Sequence, residues 1–258
     1  VHMHIAASDI RSKGVFNTVH RLTIKGSSCP VDCATLGSVQ ILEFIDCAHL
    51  INLPALKTAH SLTLRGCRGV DDVSSLESVH TLLLRDLAVT DVSALHSVHS
   101  LALECCDVSD VSALGSVANL RIFFNDDVID VSALHSVHTL TLELCRNLTD
   151  VSALSGVHTL TISRCAKVSD VSTLGSVHTL TLSGLSAVID VSMLAKVHRL
   201  TLHMCSGIVD ISALTDSVHS LTVRNCSGVR PEADQADGIF GALYRFASSV
   251  FVGIAQKD

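Results

Sequence analysis

Aliphatic and polar residues alternate in short bursts that recur along most of the chain. V-H-S-L-A-L occupies 98–103, V-H-T-L-T-L 137–142, V-H-T-L-T-I 157–162, V-H-T-L-T-L 177–182 and V-H-R-L-T-L 197–202. Alternation with a period of two marks a strand with one buried and one polar face. The first Leu of each Leu-x-Leu pair falls at Leu22, Leu42, Leu62, Leu82, Leu101, Leu120, Leu140, Leu160, Leu180, Leu200 and Leu221, so the bursts return every 19 to 21 residues. Met3 and Ile5 stand 19 residues before Leu22 and Ile24, which places the opening of the sequence inside a strand and makes a capping segment ahead of it an expectation.

One such strand is too small to be stable, so about eleven of them must stack in parallel at about 4.8 Å per repeat, a column on the order of 50 Å long. Val98, Leu101, Leu103, Val108, Val111 and Leu114, with their counterparts elsewhere, then form aliphatic ladders inside the stack. Each strand is followed by the return segment Asp-Val-Ser-Ala-Leu or a close variant. Its Asp (Asp91, Asp110, Asp130, Asp150, Asp170, Asp190) suits a helix N-cap, with the carboxylate accepting from amides two or three residues on. A period near 20 leaves no chain for a long helix, so each return is expected to be a single 3-10 turn.

The repeat resembles the leucine-rich-repeat family, whose signature L-x-x-L-x-L-x-x-(N or C)-x-L is carried by Val137-His-Thr-Leu140-Thr-Leu142-Glu-Leu-Cys145-Arg-Asn-Leu148. Asn125 supplies the family's more usual Asn in the Cys slot. The Asp-Val-Ser-Ala-Leu return looks like the short repeats of bacterial internalins. The Cys slot is similar to the cysteine-containing repeats of F-box adaptors, and the Val-His-Thr-Leu wording to arrays in large DNA viruses and protists. The resemblance implies an α/β solenoid, a right-handed superhelix with a parallel β-sheet on its concave face and short 3-10 or turn segments on its convex face. The array is expected over 1–229. After Gly228 the pattern stops, and Ile239, Phe240, Leu243, Tyr244 and Phe246 fit an amphipathic helix, so 230–258 is expected to be a helical C-terminal cap over the last repeat.

A formal charge of −7 with no Lys/Arg cluster argues against nucleic acid as the partner, although 15 His would carry the count to +8 if all were protonated. No apolar run approaches the roughly 20 residues of a bilayer span, and no basic segment followed by an apolar one opens the chain as a secretory signal would.

Three columns repeat with the stack. Cys47, Cys67, Cys106, Cys145, Cys165, Cys205 and Cys226 share one slot with Ser27, Leu87, Asn125 and Leu185. Leu in that slot marks it as buried, so the thiols read as free and packed; disulfides and metal binding are the alternatives. Zinc needs convergent ligands, which a one-dimensional row does not supply. Free thiols favour a reducing, intracellular compartment. His20, His60, His80, His99, His138, His158, His178, His198 and His219 form a second column, interrupted at Gln40 and Ala118. Its plain interpretation is a row of imidazoles hydrogen-bonding along the edge of the sheet, the functional one a pH sensor or a metal rail. A residue repeated in equivalent surroundings lacks the private environment that a catalytic group needs. Thr23, Thr63, Thr141, Thr161, Thr181, Thr201 and Thr222 fill the outward strand position, as β-branched residues do for strand geometry alone.

Where structural slots are uniform, individuality marks recognition. The two positions after the second Leu vary most; the first of them should point outward on the concave face, and the direction of the second is open. The segment 118–125, Ala-Asn-Leu-Arg-Ile-Phe-Phe-Asn, departs furthest, losing both His and Thr and placing Phe123 beside Phe124. Phe123 is therefore the candidate anchor for a protein partner, flanked by Arg85, Glu104, Arg121, Glu143 and Arg164, with Arg65, Phe124 and His203 as further partner-binding candidates, aromatics and Arg being enriched at interface hot spots. A patch over a packing irregularity is the alternative for the two Phe. No nucleophile paired with a base, phosphate loop, cofactor motif or metal motif stands outside the columns. The expected function is a protein-interaction scaffold rather than an enzyme; the alternative is a structural component that self-associates in a larger complex.

Overall fold

The computed structural model describes residues 2–6, 19–27, 30–229 and 255–256. In chain order its strands are β1 (His2–Ala6), β2 (Arg21–Ser27), β3 (Val31–Asp32), β4 (Ile41–Cys47), β5 (Leu50–Ile51), β6 (Ser61–Arg65), β7 (Thr81–Arg85) and β8 (Ser100–Glu104). They continue as β9 (Asn119–Phe123), β10 (Thr139–Glu143), β11 (Thr159–Ser163), β12 (Thr179–Ser183), β13 (Arg199–His203), β14 (Ser220–Arg224) and β15 (Ala255–Gln256). Among the described residues these make one 13-stranded sheet in which each repeat strand pairs with the next, and a two-stranded sheet of β3 and β5. From β1 to β14 the large sheet is parallel; β15 pairs antiparallel to β14. Leu140 lies opposite Leu160 and Leu160 opposite Leu180, so equivalent residues form columns as the repeat requires. The helical cap expected over 230–258 falls outside the described residues, apart from Ala255 and Gln256.

A burial rhythm of three accounts for the return segments. Leu148, Val151, Leu154, Val157 and Leu160 are all buried, one every third residue. A 3-10 turn eclipses residues i and i+3, so this spacing keeps Val151 and Leu154 on the inner side of the turn Ser152–Gly156. The same turn recurs as Ser93–Ser97, Ser112–Ser116, Ser132–Ser136, Ser172–Ser176 and Ser192–Lys196, and widens to one α-helical turn at Ser212–Thr215. The Asp ahead of each turn stands one residue before the N-cap, which is Val or Ile, rather than at the cap itself, but it makes the expected bond: Asp150 Oδ1 accepts from the Ser152 amide at 2.8 Å, and Asp91, Asp110, Asp130, Asp190 and Asp210 repeat the bond at the same length. A serine at the end of the turn ties one repeat to the one before, Ser116 Oγ donating to His96 O at 2.6 Å and Ser136 Oγ to Gly115 O at 2.8 Å.

The second variable position is a fixed backbone device. Gly26, Asp46, Gly66, Asp86, Cys105, Phe124, Leu144, Arg164, Gly184, Met204 and Asn225 all have positive φ, between 52° and 63°. This left-handed step bends the chain out of the strand while its amide still reaches the next rung; the Phe124 N–H donates to Glu143 O at 2.9 Å and the Arg164 N–H to Ser183 O at 2.8 Å. Gly, Asp and Asn, which tolerate this conformation best, occupy Gly26, Asp46, Gly66, Asp86, Gly184 and Asn225. The Cys slot lies just inside the bend. Cys165 Sγ faces Ser163 O at 3.5 Å and Leu142 O at 3.8 Å, and Cys205 faces His203 O and Leu182 O. Asn125 does the same more strongly, donating to Leu103 O at 3.3 Å and accepting from the Cys106 amide at 2.8 Å. A weak donor directed at carbonyls therefore explains Cys beyond its size, while Leu87 and Leu185 fill the volume alone.

Candidate functional site

The outward positions of the sheet form three columns, and the strand register decides what meets in each. In the third column Arg65, Arg85, Glu104, Phe123 and Glu143 follow one another on consecutive rungs. Arg121, from the middle column, joins them: its guanidinium reaches Glu104 at 3.4 Å and Glu143 at 3.3 Å, and Arg85 reaches Glu104 at 3.4 Å. Glu104 is thereby sunk between two guanidiniums, its side chain only 7% exposed. Arg121 also covers Phe123, its Cζ 5.4 Å from the ring centroid. Arg85, Glu104, Arg121, Phe123 and Glu143 are thus one contiguous cluster, with Arg65 beside Arg85.

Phe124 adjoins this cluster, its ring centroid 6.4 Å from that of Phe123, whereas Arg164 and His203 lie apart from it. Phe124 and Arg164 occupy left-handed positions and so sit on the rim where the strand ends, which settles the direction the sequence leaves open. Phe124 is capped by Arg146, whose Cζ is 4.5 Å from the ring centroid and which also pairs with Asp126 at 3.5 Å. His203 is seven rungs from Arg65, about 34 Å at strand spacing. Its Nδ1 lies 3.2 Å from Ser183 Oγ and its Nε2 3.3 Å from the Asn225 side-chain amide. Arg146 is the residue of this surface that the repeat pattern passes over, because it stands in the loop after the Cys slot.

Beyond the cluster the sheet changes character. Thr139, Thr159 and Thr179, then Thr141, Thr161 and Thr181, then Ser163 and Ser183 fill three adjoining columns with half-buried hydroxyls. The thiols of the Cys slot, and Cys33, are free and interior, whereas Cys105 at the bend is half-buried; burial pushes the Cys33 thiol up to about 12 and Cys106 up to about 11.

The His column differs from the expected hydrogen-bonded row. Rings stack face on face, His60 on His80 and His80 on His99 at 4.6 Å between centroids, and again without a break from His138 to His219. Equal spacing with parallel side chains leaves ring nitrogens side by side rather than donor to acceptor; His158 and His178 turn Nδ1 instead to the neighbouring Thr hydroxyl. Partial burial and then the adjacent imidazoles hold His80, His158 and His198 below the ordinary value of 6.5. In the turns, the amide and then the hydroxyl of the serine two residues on hold Asp72, Asp91, Asp130, Asp170, Asp190 and Asp210 below 3.8.

Both groups bind protons less tightly folded than unfolded, so acid favours unfolding. The imidazole contribution is complete above 6.5 and is lost as pH falls through the depressed values; the carboxylate contribution is complete above 3.8 and is lost below it. The thermal midpoint followed by circular dichroism is therefore expected to decline in two stages on acidification. Changing His80, His158 and His198 to Gln should remove the upper stage and leave the lower. A midpoint constant from neutrality down to the carboxylate range would refute this account.

No protein-family model matches the sequence, and no curated protein matches it. Among solved structures the chain is similar to an internalin (inlF) from Listeria monocytogenes, with a TM-score of 0.57 and 19% identity over 83% of this chain and 73% of that one. An internalin C2 from the same organism gives 0.46 at 20% identity, covering 67% and 84%. The functional domain of InlJ, also from Listeria monocytogenes and described as including a cysteine ladder, gives 0.38 at 16% identity, covering 76% and 56%. The first of these, with the repeat register, establishes a leucine-rich-repeat solenoid fold.

Proposed function

We propose that this leucine-rich-repeat solenoid is an interaction scaffold whose protein partner lies across the concave sheet, centred on Phe123. The observation that carries the proposal is the break in the repeat at 118–125, where Phe123 stands in register between Glu104 and Glu143, Arg121 stands between Ala102 and Thr141, and Arg121 and Arg85 pair with the two glutamates. An aromatic ring covered by one partly exposed guanidinium, that of Arg121, suits an interface anchor, offering large contact area at small entropic cost. Free, buried cysteines suit a reducing, intracellular setting, where we place the protein. No catalytic, cofactor or metal role is assigned to any residue.

Affinity capture with the wild type and with Phe123→Ser tests the proposal. Captured partner should fall at least about 10-fold, as for a hot spot of 2 kcal/mol or so, while the melting temperature holds. Unchanged capture with a lowered melting temperature would assign Phe123 to packing instead. A second reading, a structural component that self-associates, is favoured by Ile129, Ile189, Met193 and Val209, aliphatic side chains left between 62% and 67% exposed. Sedimentation velocity separates the two, since a monomer carrying one partner fits the first and ordered self-association the second.

A further inference from the structure

His138, His158, His178, His198 and His219 form an unbroken file along one border of the sheet, with ring centroids 4.7, 4.6, 4.7 and 4.4 Å apart. All are exposed except His198, which is half-buried. The turns ahead of the file contribute His135, Lys196 and Asp216 as titratable or charged neighbours, and the strands after it contribute Arg199. The other residues at these turn ends and strand starts are Val, Ser, Thr, Gly and Ala. The groups that act electrostatically on His158 and His198 are other imidazoles and Arg199, with no carboxylate among them. Acidification therefore adds positive charge along the file at the repeat spacing, with no carboxylate acting on it at His158 and His198.

On the sheet side the file is bordered by hydroxyls. Thr139, Thr159 and Thr179 follow His138, His158 and His178 directly, and Thr141, Thr161 and Thr181 form the next column in register with them. A straight file one ring wide, beside a panel of hydroxyl groups, fits an extended chain that carries both closely spaced anions and hydroxyls of its own.

We propose that this file and its hydroxyl border bind an extended sulfated polysaccharide in mildly acidic solution. Sulfate esters keep their full charge where imidazoles gain theirs, whereas a phosphate monoester, with a second pKa of about 6, loses part of its charge over the same range. Single-stranded nucleic acid fits less well, because its bases need exposed ring faces to stack on and here the ring faces cover one another. Binding should be governed by counterion release, and so by salt, as for other linear polyanions. It should also draw protons onto the file and oppose the acid-induced loss of stability.

Titration of the full chain with heparin at pH 5.5 and 7.5, over a series of salt concentrations, tests the proposal, with polyphosphate and polyuridylate as parallel probes. Heparin affinity is expected to be on the order of 10-fold or more higher at the lower pH, with a clear log–log salt dependence. At pH 5.5 heparin should also raise the melting temperature. The double variant His158→Gln/His178→Gln should lose the pH-dependent part, while His49→Gln/His96→Gln, which removes as many exposed imidazoles away from the file, should keep it. Equal affinity at the two pH values, equal loss in both double variants, or tighter binding of polyphosphate or polyuridylate than of heparin would each overturn the proposal. Melting curves of the variants at pH 7.5 establish that each is folded.

Discussion

Replacing Leu160 with Ala is expected to destabilise the protein by about 3–5 kcal/mol in urea denaturation, the upper part of the range for buried leucines. Leu160 is fully buried and stands in register between Leu140 and Leu180. A cavity there can close only if adjoining rungs move together, and those rungs are held at fixed spacing by the strand hydrogen bonds, such as the Thr159 amide to His138 O and the Thr179 amide to His158 O, both 3.0 Å. Because each repeat contacts only its neighbours, the loss should weaken the coupling between the two halves of the array. Hydrogen exchange should therefore accelerate most in β10, β11 and β12. A loss below about 1 kcal/mol would mean that the columns relax freely, contrary to the packing described here.

Substitution at the left-handed step should act in opposite directions at equivalent positions. Gly66, at φ +63°, changed to Val should cost about 2 kcal/mol, because a β-branched residue fits that conformation poorly; the exposed Asp46 carboxylate that its Cβ would meet can swing aside. Met204 already bears the strain at φ 53° with a side chain that is 52% exposed. Met204→Gly should therefore stabilise by up to about 1 kcal/mol, reduced by the greater freedom of glycine in the unfolded chain. Denaturation midpoints of the two variants decide the matter. Equal effects of the same sign would show that the bend, though present in every repeat, does not govern stability.

These two expectations draw on different kinds of information. Leu160 could be assigned to the core from the repeat alone, since a period near 20 with Leu-x-Leu in each copy admits few arrangements other than parallel stacking. The turn Asp was equally legible, because a carboxylate before a short return has few other backbone donors within reach. The left-handed step was written in Gly26, Gly66, Gly184, Asp46, Asp86 and Asn225, but Phe124, Leu144, Arg164 and Met204 masked it. Sequence variability at that position looked like recognition when much of it reflects a backbone constraint that several residue types can meet at some cost.

The sequence by itself determined the repeat, the register, the interior columns and the place where the pattern breaks, because each depends on residues close together in the chain or on spacing along it. Only the tertiary structure decided how the columns behave. It brought Arg85, Glu104, Arg121 and Glu143 into one ionic cluster around Phe123, set Phe124 and Arg164 on the rim, and stacked the imidazoles face to face. The physical reason is that lateral contacts join residues about 20 positions apart. Whether two such side chains pair, stack or turn aside depends on a strand spacing and a local bend that no single repeat can fix alone.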